Sequence, residues 1–316
     1  MPDSIISVHP MNVGAEIRNF SGATSTTEGK AAIFDAWVRY GVLLFRGVVS
    51  SAEHLALSRA LGELEMHPLE KMRAEESPYF MKVGTDVSLP YVYDEAEIKI
   101  GTIPWHRDTA YTPSIAKGAM LRIVETPSTG GETLFCDTAK AYDDLPQALK
   151  DRLEGLEYRA TLRHSPVEQT RPGAIWTSVR PLTVQERQQW GLAADEGRDR
   201  RAPSLPSVVH PAVLVHPDSG RHCLFLSPKE FDYFLGLSRA KSDELFCELV
   251  SHVLQDRYVY MHHWRVDDAL AWDNRRFMHA AAGSPIGDRR RGLRTTLAGD
   301  WVVGRLYDGA TDPAPR

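Results

Sequence analysis

The chain has 316 residues, 42% of them hydrophobic, enough to bury the core of one large domain or two small ones. Its formal net charge is -5 and its pI about 6.2, so no basic excess marks nucleic acid or an anionic membrane as a partner. The longest apolar runs are short, as in GVLLF at 41–45, which excludes a bilayer-spanning helix, and MPDSIISVHP lacks the charged start and apolar stretch of a signal peptide.

The segment 7–20 mixes apolar residues with turn signals and reads as strand-like. Helical apolar spacing runs over 28–41 and stops at Gly41, and VLLFRG at 42–47 reads as a short buried strand. Ser50 and Glu53 have the spacing of a capping box, opening a helix that closes near Gly62. Short extended segments follow at 79–84, 103–108, 118–124, 158–163, 208–215 and 222–227, with helices expected around 138–153 and 239–254. The stretch 258–274 reads as strand, turn, strand, and 293–301 as a last strand. Many short strands with few helices predict an antiparallel sandwich or barrel, and no βαβ alternation is seen, against a Rossmann-type sheet. Residues 166–207, polar and rich in Arg and Pro, read as an insertion, either a lid or a solvated loop. Cys136, Cys223 and Cys247 are widely spaced without a CxxC pair, so neither a zinc knuckle nor a disulfide framework is indicated and a cytoplasmic location is expected.

Two stretches carry chemistry. In WHRDTAY at 105–111, His106 and Asp108 lie two apart on an expected strand, so they share a face, and Arg107 points the other way. The pair alone leaves open a structural hydrogen-bonded couple or part of a ligand set. In 272–300, His279 is followed by Arg290 and Arg294; on an extended strand Arg290, Arg294 and Thr296 share one face, and Arg289 and Arg291 the other. Alone, this run reads equally as a solvated basic surface. Together the two stretches supply two imidazoles and a carboxylate, the facial set that suits non-haem Fe(II) and leaves coordination positions open.

The residues resemble the taurine dioxygenase / 2,4-dichlorophenoxyacetate dioxygenase family of Fe(II)- and 2-oxoglutarate-dependent oxygenases. Four stretches carry the resemblance in the family's order: WHRD at 105–108, PSTGGETLFCDTAKAYDDLP at 127–146, HPAVLVHPDSGRHCLFLSP at 210–228, and WDNRRFMH to RRRGLR at 272–294. It spans nearly the whole chain apart from 166–207. It implies a single dioxygenase domain over 1–316, mainly β with flanking helices, folded as a double-stranded β-helix or jelly roll. It implies His106, Asp108 and His279 as iron ligands, Thr133 and Arg290 on the distal carboxylate of 2-oxoglutarate, His67 toward the primary substrate, and Arg294 near the other end of the co-substrate or an anionic group of the primary substrate. Asp137 stands outside this set as a spare carboxylate.

The cofactors implied are Fe(II), 2-oxoglutarate and O2. The reaction implied is oxidative decarboxylation to succinate and CO2, coupled to hydroxylation of an aliphatic C–H bond in a small anionic substrate. An anion is expected because Arg294 would otherwise stand as an unpaired buried cation. The same chemistry giving desaturation, ring formation or carbon–heteroatom cleavage is the alternative, and a non-catalytic β-sandwich binding protein the alternative of another class. A small-molecule substrate is the expected partner, with no nucleic acid or membrane and with homo-oligomerisation open. His210, His216 and His222 are expected to be structural, one of His262 and His263 to face the pocket, and Cys136 to be a small core residue. Residues 79–97 are expected to roof the substrate.

Overall fold

The computed structural model describes residues 6–94, 97–163, 178–192, 205–312 and 314–315. Several β-sheets with flanking helices make a mixed α/β architecture, and among the described residues no sheet closes into a barrel. The largest sheet has nine strands, in the order Ser7–Pro10, Ala15–Arg18, Val42–Phe45, Ala269–Asp273, Gly118–Glu125, Arg291–Leu297, Ser77–Gly84 and Arg73–Ala74, with Leu64–Glu65 paired to Arg291–Leu297. A four-stranded sheet runs Val259–His262, Thr133–Asp137, Phe277–Ala281 and Ile103–His106. The two meet through Phe135 and Phe277 from the small sheet and Leu121, Leu270 and Trp272 from the large one.

Local signals in the sequence explain the N-terminal third. Helix Thr27–Tyr40 begins where Thr26 accepts a bond from the Gly29 N–H and ends at Gly41, whose φ is +71°. A Cβ on Gly41 would lie 2.3 Å from Phe277 Cε2, so close packing as well as backbone conformation requires glycine there. Helix Ser51–Leu61 opens with the Ser50 hydroxyl accepting from the Glu53 N–H. The all-apolar strand Val42–Phe45 is buried throughout, because it runs between Ala15–Arg18 and Ala269–Asp273.

Several expectations need correction. Ala15–Arg18 and Val42–Phe45 pair in parallel across helix Thr27–Tyr40, so one βαβ unit is present. The helix expected over 138–153 is two, Thr138–Asp143 and Gln147–Leu153, divided at Pro146, which has no N–H to continue the first. The strands of 258–274 enter different sheets, Val259–His262 the small one and Ala269–Asp273 the large one. Of the lid or insertion read over 166–207, residues 166–177 and 193–204 lie outside the described residues. Residues 178–192 are structured: Val179–Pro181 pairs with Pro90–Tyr93, and helix Val184–Gln189 opens on a full capping box of Thr183 and Glu186. No helix among the described residues is long and apolar enough to cross a membrane.

Asp137 is not a spare carboxylate. It caps helix Thr138–Asp143 through the N–H groups of Ala139 and Lys140, and it takes Arg276 in a two-bond pair at 2.9 and 2.5 Å. Both partners are buried. Asp137→Ala is therefore expected to lower unfolding stability by about 3–5 kcal/mol, since it strands a buried guanidinium and removes a cap. A urea midpoint close to wild type would contradict this.

Stability should also depend on pH through buried imidazoles. Burial holds His54 down to about 3 and His210 to about 4. Unfolded imidazoles titrate near pH 6.5, so below that value the unfolded chain binds protons that the folded chain refuses. Stability is then full above about pH 6.5 and is lost as pH falls toward the folded values. The urea midpoint is expected to be lower near pH 5 than near pH 7.5; a flat or rising midpoint on acidification would contradict the assignment.

Candidate active site

The small sheet sets the first part of the site. In its register His279 pairs with His106 on one side and with Phe135 on the other, and Thr133 pairs with Ala281. The two imidazole rings lie 4.1 Å apart between centroids. The strand bearing His106 ends at that residue, so Asp108 is presented from the loop that follows and not from the strand. Its carboxylate still turns back to the imidazoles, with Oδ1 3.9 Å from His106 Nε2 and Oδ2 3.7 Å from His279 Nε2. The potential ligand atoms of these three buried residues all lie within 4.8 Å of one another.

The donor set fits a divalent metal. His106 Nδ1 donates to the Pro104 carbonyl at 2.8 Å, which leaves Nε2 with its lone pair toward the cluster. Burial holds His106 at about 3 and His279 at about 4, so both rings are neutral at physiological pH. Burial alone would raise the Asp108 pKa, but the Arg294 guanidinium and the two imidazoles bring it to about 2. Two neutral nitrogens and one carboxylate, buried and convergent, are a facial ligand set for a metal such as Fe(II).

Two cavities meet here. The smaller, about 120 Å³, lies between the two sheets and is lined by His106, His279, Thr133, Arg290 and Arg294 among apolar walls that include Leu121 and Trp272. Arg290 is buried with its Nε on the Gly131 carbonyl at 3.1 Å, and its Nη groups have no hydrogen-bond partner among the described residues. Burial brings its pKa down to about 10, which still leaves it charged. Thr133 Oγ1 accepts from Trp264 Nε1 at 3.0 Å, so its own proton is free for another acceptor.

The larger cavity, about 980 Å³, is lined by His67, Tyr111, Lys229 and Arg294, together with His106 and Asp108. His67 is half-buried, its Nδ1 accepting from the Leu69 N–H at 3.1 Å. Met81, Ile103, His106 and Arg294 border both spaces. Most of the lining drawn from 79–97 (Val83, Gly84, Thr85 and Ser88) faces the smaller cavity, so this segment does not chiefly roof the larger one.

Arg294 was expected to want an external anion. It instead lies 2.7 Å from Asp108 Oδ2, and its Nε is buried without a partner. The 210–222 histidines do not gather. His210 donates to the Ala110 carbonyl, His216 to Asp273, and His222 stacks on Tyr142. His262 is buried against Asp268 and Tyr260 and lines neither cavity, and His263 is exposed. Cys136 is a core residue, donating to the Val253 carbonyl.

Asn274 and Trp264 carry no sign of their site roles in the sequence, and the partners of Arg107 are equally unmarked there. Asn274 stands inside the WDNRRFMH stretch, but its grip on a loop far away in sequence had no local signal.

A family profile described as "Taurine catabolism dioxygenase TauD, TfdA family" matches residues 6–296. The chain is 30% identical over 268 residues to a (S)-phenoxypropionate/alpha-ketoglutarate-dioxygenase of Sphingobium herbicidovorans, covering 84% of each protein. It is 28% identical over 302 residues to an alpha-ketoglutarate-dependent 2,4-dichlorophenoxyacetate dioxygenase of a Burkholderia strain, covering 92% of this chain and 93% of that one. A crystal structure of a taurine dioxygenase from Burkholderia xenovorans superposes with a TM-score of 0.70 at 22% identity, over 97% of this chain and 96% of that one, a likeness of fold. With the buried His–Asp–His cluster in place, the chain belongs to the TauD, TfdA family and is a 2-oxoglutarate-dependent non-haem iron oxidoreductase.

Proposed function

We propose that the protein hydroxylates an aliphatic C–H bond of a small anionic substrate, with 2-oxoglutarate leaving as succinate and CO2. One observation carries the reading: His106 and His279 border the same cavity as Arg290, a buried guanidinium with unused donors, and Asp108 borders the adjoining cavity, which shares His106 and Arg294 with the first. In this reading residues 1–316 are one dioxygenase domain, and the two facing sheets are the walls of a double-stranded β-helix. The anionic substrate is supported by the two relatives named for aryloxyalkanoates.

His106, His279 and Asp108 would hold Fe(II), which when bound supplies the activation of dioxygen coupled to 2-oxoglutarate decarboxylation. The chain's own residues bind and orient. The planar Arg290 fork takes the distal carboxylate of 2-oxoglutarate bidentately, and Thr133 donates its free proton to the same group. Leu121 and Trp272 keep water from that end. The primary substrate takes the larger cavity, with Arg294 beside the metal cluster and His67 among its polar contacts. Arg294 keeps Asp108 ionised at the metal end of that space.

Anaerobic addition of Fe(II) and 2-oxoglutarate is expected to give a weak visible charge-transfer band. Arg290→Ala should weaken 2-oxoglutarate binding in that titration by about 3 kcal/mol, on the order of a hundredfold. Arg289→Ala should change little, because Arg289 is exposed and lies near Glu125 at 3.6 Å. Unaltered 2-oxoglutarate affinity in Arg290→Ala would remove Arg290 from this role.

Asp108→Asn is expected to abolish 2-oxoglutarate-coupled substrate oxidation and weaken iron retention with the fold intact, since it removes the only anionic ligand. The exposed Asp151→Ala is the comparator and should keep its iron. Iron content after anaerobic reconstitution and succinate release measure both effects. Full iron occupancy with wild-type turnover in Asp108→Asn would mean that His106 and Asp108 are only a structural pair.

A further inference from the structure

The strand Ile103–His106 stops short of Asp108, so no ladder bond holds the main chain that carries the carboxylate. Its place is taken by one side chain. The Asp108 N–H donates to Asn274 Oδ1 at 2.8 Å, and Asn274 Nδ2 donates to the Asp108 carbonyl at 3.0 Å. The second Nδ2 hydrogen goes to the Ala116 carbonyl at 2.9 Å. Asn274 is fully buried, and every polar atom of its side chain is spent on the 108–116 loop.

The arrangement is reciprocal. Arg107 Nη1 donates to the carbonyls of Asn274 at 2.7 Å and of Phe277 at 3.2 Å. Phe277 opens the strand that carries His279. Asn274 thus holds the loop of Asp108, while the residue before Asp108 holds the segment leading to His279. The loop needs such a hold. Thr109 has a φ of +56°, disfavoured for a β-branched residue, and its hydroxyl accepts from the Ala116 N–H at 2.7 Å to keep that path.

We propose that Asn274 is a positioning residue for the metal centre: its carboxamide fixes the Asp108 main chain so that the carboxylate stands in ligating position before the metal arrives. The inference rests on the reading of His106, Asp108 and His279 as a metal site. Removing the carboxamide returns conformational freedom to the loop, and metal binding must then order it. Loss of a partner outside the ligand set therefore appears as lost metal affinity, beyond any loss of stability.

The test titrates Mn(II) into the metal-free full chain and follows free Mn(II) by electron paramagnetic resonance. Asn274→Ala and Asn274→Asp are compared with wild type and with Ile33→Ala, a core truncation in helix Thr27–Tyr40. At a temperature where all retain native circular dichroism, both Asn274 variants should bind Mn(II) at least about 10-fold more weakly, and Ile33→Ala should bind as wild type does despite a lowered Tm. Asn274 variants within about twofold of wild type, or an equal loss in Ile33→Ala, overturn the inference.

If neither Asn274 variant folds, hydrogen exchange on the metal-free wild type decides. An Asp108 amide protected like the 103–106 strand supports the clamp, and exchange at the rate of an exposed loop overturns it. Failure of the wild type itself to bind Mn(II) would sink the metal reading, an outcome distinct from a wild type that binds and variants that match it.

Discussion

Arg107 is a cation in the interior with no carboxylate among its hydrogen-bond partners, and the site is built around it. Its Nε donates to the Leu226 carbonyl, Nη1 to those of Asn274 and Phe277, and Nη2 to the Leu224 carbonyl and the Thr138 hydroxyl. All five N–H donors are used, and the ring of Phe225 lies 4.8 Å from the guanidinium carbon. Burial pushes its pKa down, and the four carbonyl dipoles hold the charge in place of a counter-ion. A lysine could satisfy only some of these acceptors. With Arg107 anchored inward, His106 at the end of the strand faces the other way, into the cavity, and the loop that follows brings Asp108 to the same side. One buried fork therefore ties the segments 224–226, 138 and 274–277 together and aims two members of the ligand set.

The two arginines of the cavities divide the electrostatic work. Arg294, 2.7 Å from Asp108, keeps that carboxylate ionised in the metal-free protein, so no proton need leave when a cation binds. Arg290 has no such partner among the described residues, and burial lowers its pKa; the proposed function supplies an incoming anion to its unused donors. One arginine is thus compensated within the protein, and in the proposed function the co-substrate compensates the other.

What could be read from the sequence follows from the range of each interaction. The stop at Gly41 and the cap at Ser50 are local, and the helices they bound lie where the pattern put them. The opposite facing of Arg107 and His106 follows from strand alternation and was legible for that reason. The direction in which Val42–Phe45 pairs is a property of its neighbours, so the parallel unit was not visible in VLLF itself. Pro146 was a local signal that should have divided the 138–153 helix. The Thr183–Glu186 box was another, overlooked inside a segment whose composition suggested a loop. The hydrogen bonds from Asn274 to Asp108 and the ion pair of Arg294 with Asp108 join distant parts of the chain, and only the fold brings them together.

Asp137 and Asp108 show what separates a structural carboxylate from a functional one. Both are buried, and both meet an arginine. Asp137 has every direction occupied by a donor: two helix N–H groups and the two bonds of Arg276. Asp108 faces His106 Nε2 across 3.9 Å, and that nitrogen has its lone pair forward because Nδ1 holds the proton on Pro104. A carboxylate oxygen and a bare imidazole nitrogen are both acceptors, so their juxtaposition is unfavourable. Arg294 offsets it from one side only. The fold bears that residual repulsion because Arg107 and Asn274 hold the backbone on both sides. A cation placed between the acceptors converts the same repulsion into coordination, so the feature that weakens the metal-free protein is what gives the site its affinity.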